Sequence, residues 1–193
     1  LLPDLKPYLA DVIEDIINSD VRVAGFSMYA SNIHAVKYIV SALKERKPDL
    51  CIIAGGPETI TSPHSFEEGG TFRDMFNYIF VGETEANLIE VLENLPEHLP
   101  MNEIVGSTMS RLDLNKYPYP DYTDYNIQNY IEAGVSMETS RGCIAQCSFC
   151  AETYFWKFRS LDPIRIVDEI EYQVKKHKVK RFWFVDSLAN GNI

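Results

Sequence analysis

Residues 21–56, VRVAGFSMYASNIHAVKYIVSALKERKPDLCIIAGG, hold the pattern that decides the fold. VRVAGFSM (21–28) is a compact apolar run ending in small residues, as a buried strand requires. From Asn32 to Lys47 the apolar positions Ile33, Val36, Ile39, Val40 and Leu43 follow the spacing of one helix face. Pro48 ends that helix, and LCIIAGG (50–56) is the next strand, closing in a Gly-Gly-Pro turn. Strand, helix and strand at this spacing make a βαβ unit.

The pattern continues outward. FNYIFVG (76–82) reads as a third strand and Glu83 to Leu95 as a second helix, with Ala86, Ile89, Val91 and Leu92 among its apolar positions. The predicted fold class is therefore α/β: a Rossmann-like doubly wound parallel sheet with helices on both faces, spanning residues 1–99. A helix from about Leu9 to Asn18 has no strand before it, which leads us to expect the first strand upstream. Residues 100–134 read as a Pro/Tyr-rich linker, with Pro118, Pro120 and five tyrosines between Tyr117 and Tyr130, and IVGSTM (104–109) as a short strand inside it. A second βα pattern occupies 135–193. Its parts are a strand VSMETS (135–140), a cysteine loop (141–150), a helix from Pro163 with Asp162 as N-cap, and a strand KRFWFVD (180–186). The chain starts at Leu1 and stops in mid-pattern, so it reads as an excerpt of a longer protein.

Composition excludes several classes. Of 193 residues, 46% are hydrophobic and 24% charged, the balance of a globular protein and not of a disordered chain. No apolar run approaches a membrane span, and the first residues lack the regions of a signal peptide. A net charge of −10 argues against a nucleic-acid partner. The charge is uneven: residues 1–150 hold 10 Lys+Arg against 22 Asp+Glu, and residues 151–193 hold 8 against 6. The basic excess lies chiefly in Lys175, Lys176, Lys178, Lys180 and Arg181, read as a solvated helix end. No P-loop, G-x-G-x-x-G or G-x-S-x-G motif occurs.

Three of the four cysteines, Cys143, Cys147 and Cys150, form C-I-A-Q-C-S-F-C on a loop directly after a strand. Clustered thiols of this kind are ligands or redox groups, not a disulfide framework, and they imply a reducing, cytoplasmic setting. Thiolates are soft ligands for iron–sulfur clusters or zinc. A structural zinc needs a fourth ligand, and neither Cys51 nor a histidine lies close in sequence. Three cysteines on a four-iron cluster leave one iron open. Cys51, in an apolar strand, reads as a small core residue. His34, His64, His98 and His177 read as surface or loop residues, and Met28 and Met137 as strand residues. Glu152, the run Tyr154-Phe155-Trp156 and Arg159 beside Ser160 are candidates for lining a cavity near the cysteines or reaching an anion.

The segment E-T-S-R-G-C-I-A-Q-C-S-F-C-A (138–151) resembles the radical S-adenosylmethionine (radical SAM) enzymes. The resemblance implies the first βα units of a partial barrel, with a [4Fe-4S] cluster on Cys143, Cys147 and Cys150. S-adenosylmethionine would chelate the open iron, and one electron would split it to methionine and a 5′-deoxyadenosyl radical. Phe149 would lie near the adenine. The loop D-S-L-A-N-G-N (186–192) would hold the methionine amino group through Asp186, assisted by Ser187 and Asn190. Asp186 as a helix N-cap is the competing reading.

With that motif downstream, G-F-S-M-Y-A-S (25–31), G-G-P-E (55–58) and V-G-E-T-E (81–85) are similar to the loops of the cobalamin-binding domain that precedes many radical SAM barrels. Ligands bind open parallel sheets along the edge where these loops lie. The resemblance assigns Ser27, Tyr29, Gly55, Gly56, Pro57, Gly82 and Glu83 to cobalamin, with Thr84 standing where a glycine is frequent. It implies an anaerobic, cobalamin-dependent methyltransferase acting on an unactivated carbon or phosphorus. The alternatives are a radical SAM cyclase or rearrangement enzyme and a non-catalytic iron–sulfur protein. Expected partners are a small-molecule or peptide substrate and an electron donor such as flavodoxin or ferredoxin, with no nucleic acid and no membrane.

Overall fold

The structure is a computed structural model that describes residues 2–61, 72–107, 111–150 and 157–191. It divides into two compact units, residues 1–111 and 112–193.

The first unit opens on helix α1 (Leu2–Asn18) and continues with strand β1 (Val23–Ser27), helix α2 (Ile33–Arg46) and strand β2 (Cys51–Gly55). A short helix α3 (Glu58–Thr61), strand β3 (Tyr78–Gly82), helix α4 (Glu85–Glu93) and strand β4 (Glu103–Ser107) complete it. The four strands form one parallel sheet in the order β1-β2-β3-β4, with Val23 beside Cys51 and Tyr78 beside Glu103. α1 begins earlier than expected and carries Pro7 within it.

Pleat alternation explains the continuous apolar run of β2. Ile52 and Ala54 face the core formed by Ile13 of α1 and by Val36, Ile39, Val40 and Leu43 of α2. Cys51 and Ile53 face the other way, where Tyr78 and Phe80 meet Leu88 and Val91 of α4. A strand covered on both faces is apolar at every position, and the expected helices on both faces are present. Each fully buried aliphatic side chain in these layers contributes about 1.5–3 kcal/mol.

Strand β4 lies where a linker was expected to begin. Its backbone pairs with β3 over five residues, which draws 103–107 into the first sheet. From Leu112 onward the tyrosine-rich stretch packs within the second unit. Gln173 Nε2 donates to the Pro120 carbonyl at 2.7 Å, Arg165 donates to the Tyr117 carbonyl at 2.6 Å, and the Tyr119 and Tyr172 rings lie 5.4 Å apart.

The second unit contains strand β5 (Gly134–Met137), the short antiparallel pair β6 (Ser140–Arg141) and β7 (Arg159–Ser160), helix α5 (Pro163–His177) and strand β8 (Arg181–Phe184). β5 and β8 are parallel, so β5-α5-β8 is one βαβ unit. The cap of α5 is as expected: the Asp162 carboxylate accepts the Ile164 N–H at 2.8 Å. Lys175, Lys176 and His177 occupy its last turn, where positive charge meets the negative end of the helix dipole. His177 is not the surface residue expected. Its side chain is 6% exposed and packs between the Tyr122 and Tyr172 rings at 5.8 and 5.9 Å.

Asn77 ties the start of β3 to β2. Its Oδ1 accepts the Ile52 N–H and its Nδ2 donates to the Pro100 carbonyl, both at 2.8 Å, in a buried position. Asn77→Ala leaves a buried amide unpaired, and a lower urea midpoint equivalent to a loss of about 2 kcal/mol is expected.

Candidate functional site

The cysteine loop of the second unit follows β6 and precedes β7, where Ser140 pairs with Ser160 and Arg141 with Arg159. Gly142 follows at φ +82°, a conformation that side chains with a Cβ resist, so the chain turns sharply into Cys143. Cys143 forms a backbone bridge to Lys157, the Ala145 N–H donates to Cys143 Sγ at 3.4 Å, and the Cys150 N–H donates to the Cys147 carbonyl at 3.0 Å. Cys147 is exposed, Cys143 and Cys150 are half-buried, and none is in a disulfide. The Arg141 guanidinium braces the loop entry by a two-pronged pairing with Glu138 at 3.0 and 2.8 Å.

The loop after β8 binds to this root. The Asp186 carboxylate accepts the Thr139 N–H and the Ser140 N–H at Oδ1, each at 2.6 Å, and the Thr139 hydroxyl at Oδ2, at 2.7 Å. The buried Ser140 hydroxyl donates to the Leu188 carbonyl at 2.7 Å, and the Leu161 N–H to the Thr139 carbonyl at 2.8 Å. Asp186 therefore caps no helix among the described residues; its acceptors face the strand end that leads into the cysteines. Ser187 and Asn190 are exposed, and Phe149 is 91% exposed. Thr139, Ser140 and Leu188 went unnoticed in the sequence because hydrogen bonds between residues nearly fifty positions apart leave no local pattern.

Among the described residues no three His, Cys, Asp or Glu side chains are gathered as a metal-binding group. The donor set itself fits a cluster: three thiols within eight residues, on one loop whose two ends are fixed by the β6–β7 pair. Of the other candidates, Arg159 is half-buried in β7, while Glu152, Tyr154-Phe155-Trp156 and His64 lie outside the described residues.

In the first unit, the loops after β1, β2 and β3 share the C-terminal edge of the parallel sheet. Ser27 pairs in register with Gly55, the Met28 N–H donates to the Gly55 carbonyl at 2.7 Å, and the Glu58 N–H to the Met28 carbonyl at 3.1 Å. Asn32 folds back on the β1 loop, donating to the Ser27 carbonyl at 2.8 Å and accepting the Tyr29 N–H at 2.9 Å. Gly56 stands at φ +96°, and a Cβ there would lie 2.9 Å from both the Met28 nitrogen and Ser27 Oγ. Its missing side chain is thus used by the protein's own loop packing. Ser27, Tyr29, Gly56 and Pro57 are exposed and Gly55 and Gly82 half-buried, an edge open to a ligand. Glu83, the residue directly after β3, is buried at 2% exposure, unlike its neighbours at this edge. The exposed and half-buried residues of this edge offer backbone and small side chains to a bulky cofactor.

Comparison with known proteins follows the same lines. No protein-family model matches the chain. The anaerobic magnesium-protoporphyrin IX monomethyl ester cyclase of Rubrivivax gelatinosus is 48% identical over 205 residues, covering 91% of this chain and 36% of the relative. The cobalamin-dependent radical SAM methyltransferase TokK of Streptomyces tokunonensis is 26% identical over 200 residues, covering 92% and 28%. The hopanoid C-2 methylase of Rhodopseudomonas palustris is 25% identical over 172 residues, covering 86% and 31%. The chain spans about a third of the length of these relatives. Its class is that of the radical SAM enzymes. Within that class the relatives it matches are B12-dependent methyltransferases and cyclases.

Burial separates the fourth cysteine chemically from the other three. Cys51 is 1% exposed, and burial pushes its thiol up to about 11. In metal-free protein at pH 8, iodoacetamide is expected to alkylate Cys143, Cys147 and Cys150 while sparing Cys51 until denaturant is added, as read by peptide mass spectrometry.

Proposed function

We propose that this chain is the part of a cobalamin-dependent radical SAM methyltransferase that joins its cobalamin domain to its cluster loop. The observation that carries the reading is the order of the two sites: a glycine-lined edge of a parallel sheet, followed in the chain by a three-thiol loop rooted on a second βαβ unit. That second unit is read as the start of the catalytic barrel. Cys143, Cys147 and Cys150 are the residues that would hold a [4Fe-4S] cluster, and Ser27, Tyr29, Gly55, Gly56, Pro57 and Gly82 those that would line cobalamin. When bound, the two groups supply one-electron cleavage of S-adenosylmethionine and a transferable methyl group. This chemistry suits a carbon with no acidic proton, which simple displacement does not methylate.

The chain's own contribution is placement. Gly142 and the β6–β7 pair set where the thiols begin and end, and the exposed Phe149 ring offers a flat apolar surface to the adenine. Ser187 and Asn190 stand exposed on the loop after β8, where polar groups of S-adenosylmethionine would meet them. Among the described residues no helix is long and apolar enough to cross a membrane. The proposed setting is cytoplasmic and anaerobic, with a flavodoxin- or ferredoxin-type electron donor. Its substrate would be a small molecule or a peptide.

A second reading, ring closure in place of methyl transfer, is favoured by the 48% identity to the Rubrivivax gelatinosus cyclase over 91% of the chain. Purified anaerobically with cobalamin supplied, the full-length protein is expected to carry about four irons per chain and near-stoichiometric cobalamin. Replacing Cys143, Cys147 and Cys150 together by Ala should remove the iron and leave the cobalamin. A product carrying labelled methyl from S-adenosylmethionine would establish methyl transfer, and an oxidised product of unchanged carbon count would establish ring closure. Iron without cobalamin would sink the methyltransferase reading.

A further inference from the structure

We propose that Asp186 is a positioning residue for the cysteine loop and not the ligand of the S-adenosylmethionine amino group. The inference rests on the cluster reading of Cys143, Cys147 and Cys150. A carboxylate that receives a ligand's ammonium must turn accessible oxygens toward it. Both oxygens of half-buried Asp186 are already engaged by the protein: Oδ1 takes two backbone N–H groups at 2.6 Å and Oδ2 takes the Thr139 hydroxyl at 2.7 Å. Thr139 and Ser140 lie beyond the β5–β8 ladder, whose last backbone bond runs from the Val185 N–H to the Met137 carbonyl at 3.0 Å. Past that bond the strand end is held to the β8 side by Asp186 and by the Ser140–Leu188 bond.

The position matters because Cys143 follows Ser140 by three residues, with Gly142 between them at φ +82°. A shift at Thr139 and Ser140 moves the root from which the first thiol is presented. The negative charge strengthens this anchor, since hydrogen bonds to an ionised acceptor are shorter and stronger than neutral ones. Exposed Ser187 is the next residue, so a ligand held on the loop after β8 and the cysteine loop would share one anchor. That leaves Ser187 and Asn190, not Asp186, to meet S-adenosylmethionine.

The two roles separate in the pair Asp186→Asn and Asp186→Ala, made in the full-length protein. Asparagine keeps an oxygen for the two N–H groups but loses the charge an ammonium needs. For an anchor, Asp186→Ala should lower iron per chain at least twofold and speed amide exchange at Thr139 and Ser140 at least tenfold. Asp186→Asn should stay within twofold of wild type in both, with S-adenosylmethionine affinity changed less than threefold, as read from the perturbation of the cluster's electron paramagnetic resonance signal. Thr139→Val, which removes only the hydroxyl, should fall between them. The anchor is overturned if Asp186→Ala leaves amide exchange unchanged. It is equally overturned if Asp186→Asn keeps iron and exchange protection but weakens S-adenosylmethionine binding tenfold or more. Should Asp186→Ala fail to fold, Asp186→Asn and Thr139→Val decide the matter alone. Wild-type protein without iron would instead defeat the cluster reading, while the amide-exchange contrast would still test the anchor.

Discussion

Parallel pairing is the constraint on which the rest of this structure depends. Two parallel strands cannot be joined by a tight turn, so each must be followed by a crossover that returns to the starting edge. Every strand of such a sheet therefore ends on the same edge, and each crossover begins there with a loop. In the first unit this brings Ser27, Gly55 and Gly82 to one edge although they are far apart in the chain. In the second, the pairing of β5 with β8 brings Thr139 and Ser140 against Asp186. Both candidate sites follow from this constraint.

The two sites use their loops differently. The first-unit edge is tied together by backbone bonds and by the close approach of Gly56 to Ser27 and Met28, leaving a surface of small groups and peptide backbone. Such a surface suits a large ligand that needs room more than it needs charged contacts. The second-unit loop carries its chemistry in three thiols, and its demand is for fixed ends. These come from β6 and β7, from the Arg141–Glu138 pairing and from the Asp186 carboxylate. A loop held at its root, with side chains open beyond it, can present ligands without burying them before a metal arrives.

Most of the first unit was legible because its signals are local. The spacing of Val36, Ile39, Val40 and Leu43 marks a helix face, and the unbroken apolar run of β2 marks a strand covered on both sides. The Cys143–Cys150 spacing was legible for the same reason, since the motif lies in eight consecutive residues. The destination of β4 was not. Whether 103–107 joins a sheet depends on the exposed edge of β3, and that edge comes from residues more than twenty positions away. His177 was misread as a surface residue because the tyrosine that covers it on one side, Tyr122, is distant in the chain.

Periodicity and spacing by themselves determined the α/β class, the longer strands and helices, and the identity of the three thiols, because each depends on neighbours within one or two turns of chain. Tertiary structure alone decided the roles of the polar residues around those thiols. Hydrogen bonding makes Asp186 an anchor of the strand end before the cysteines, and packing makes Glu83 an interior group. A carboxylate's role is set by which donors surround it, and those donors come from parts of the chain that meet only when the strands pair.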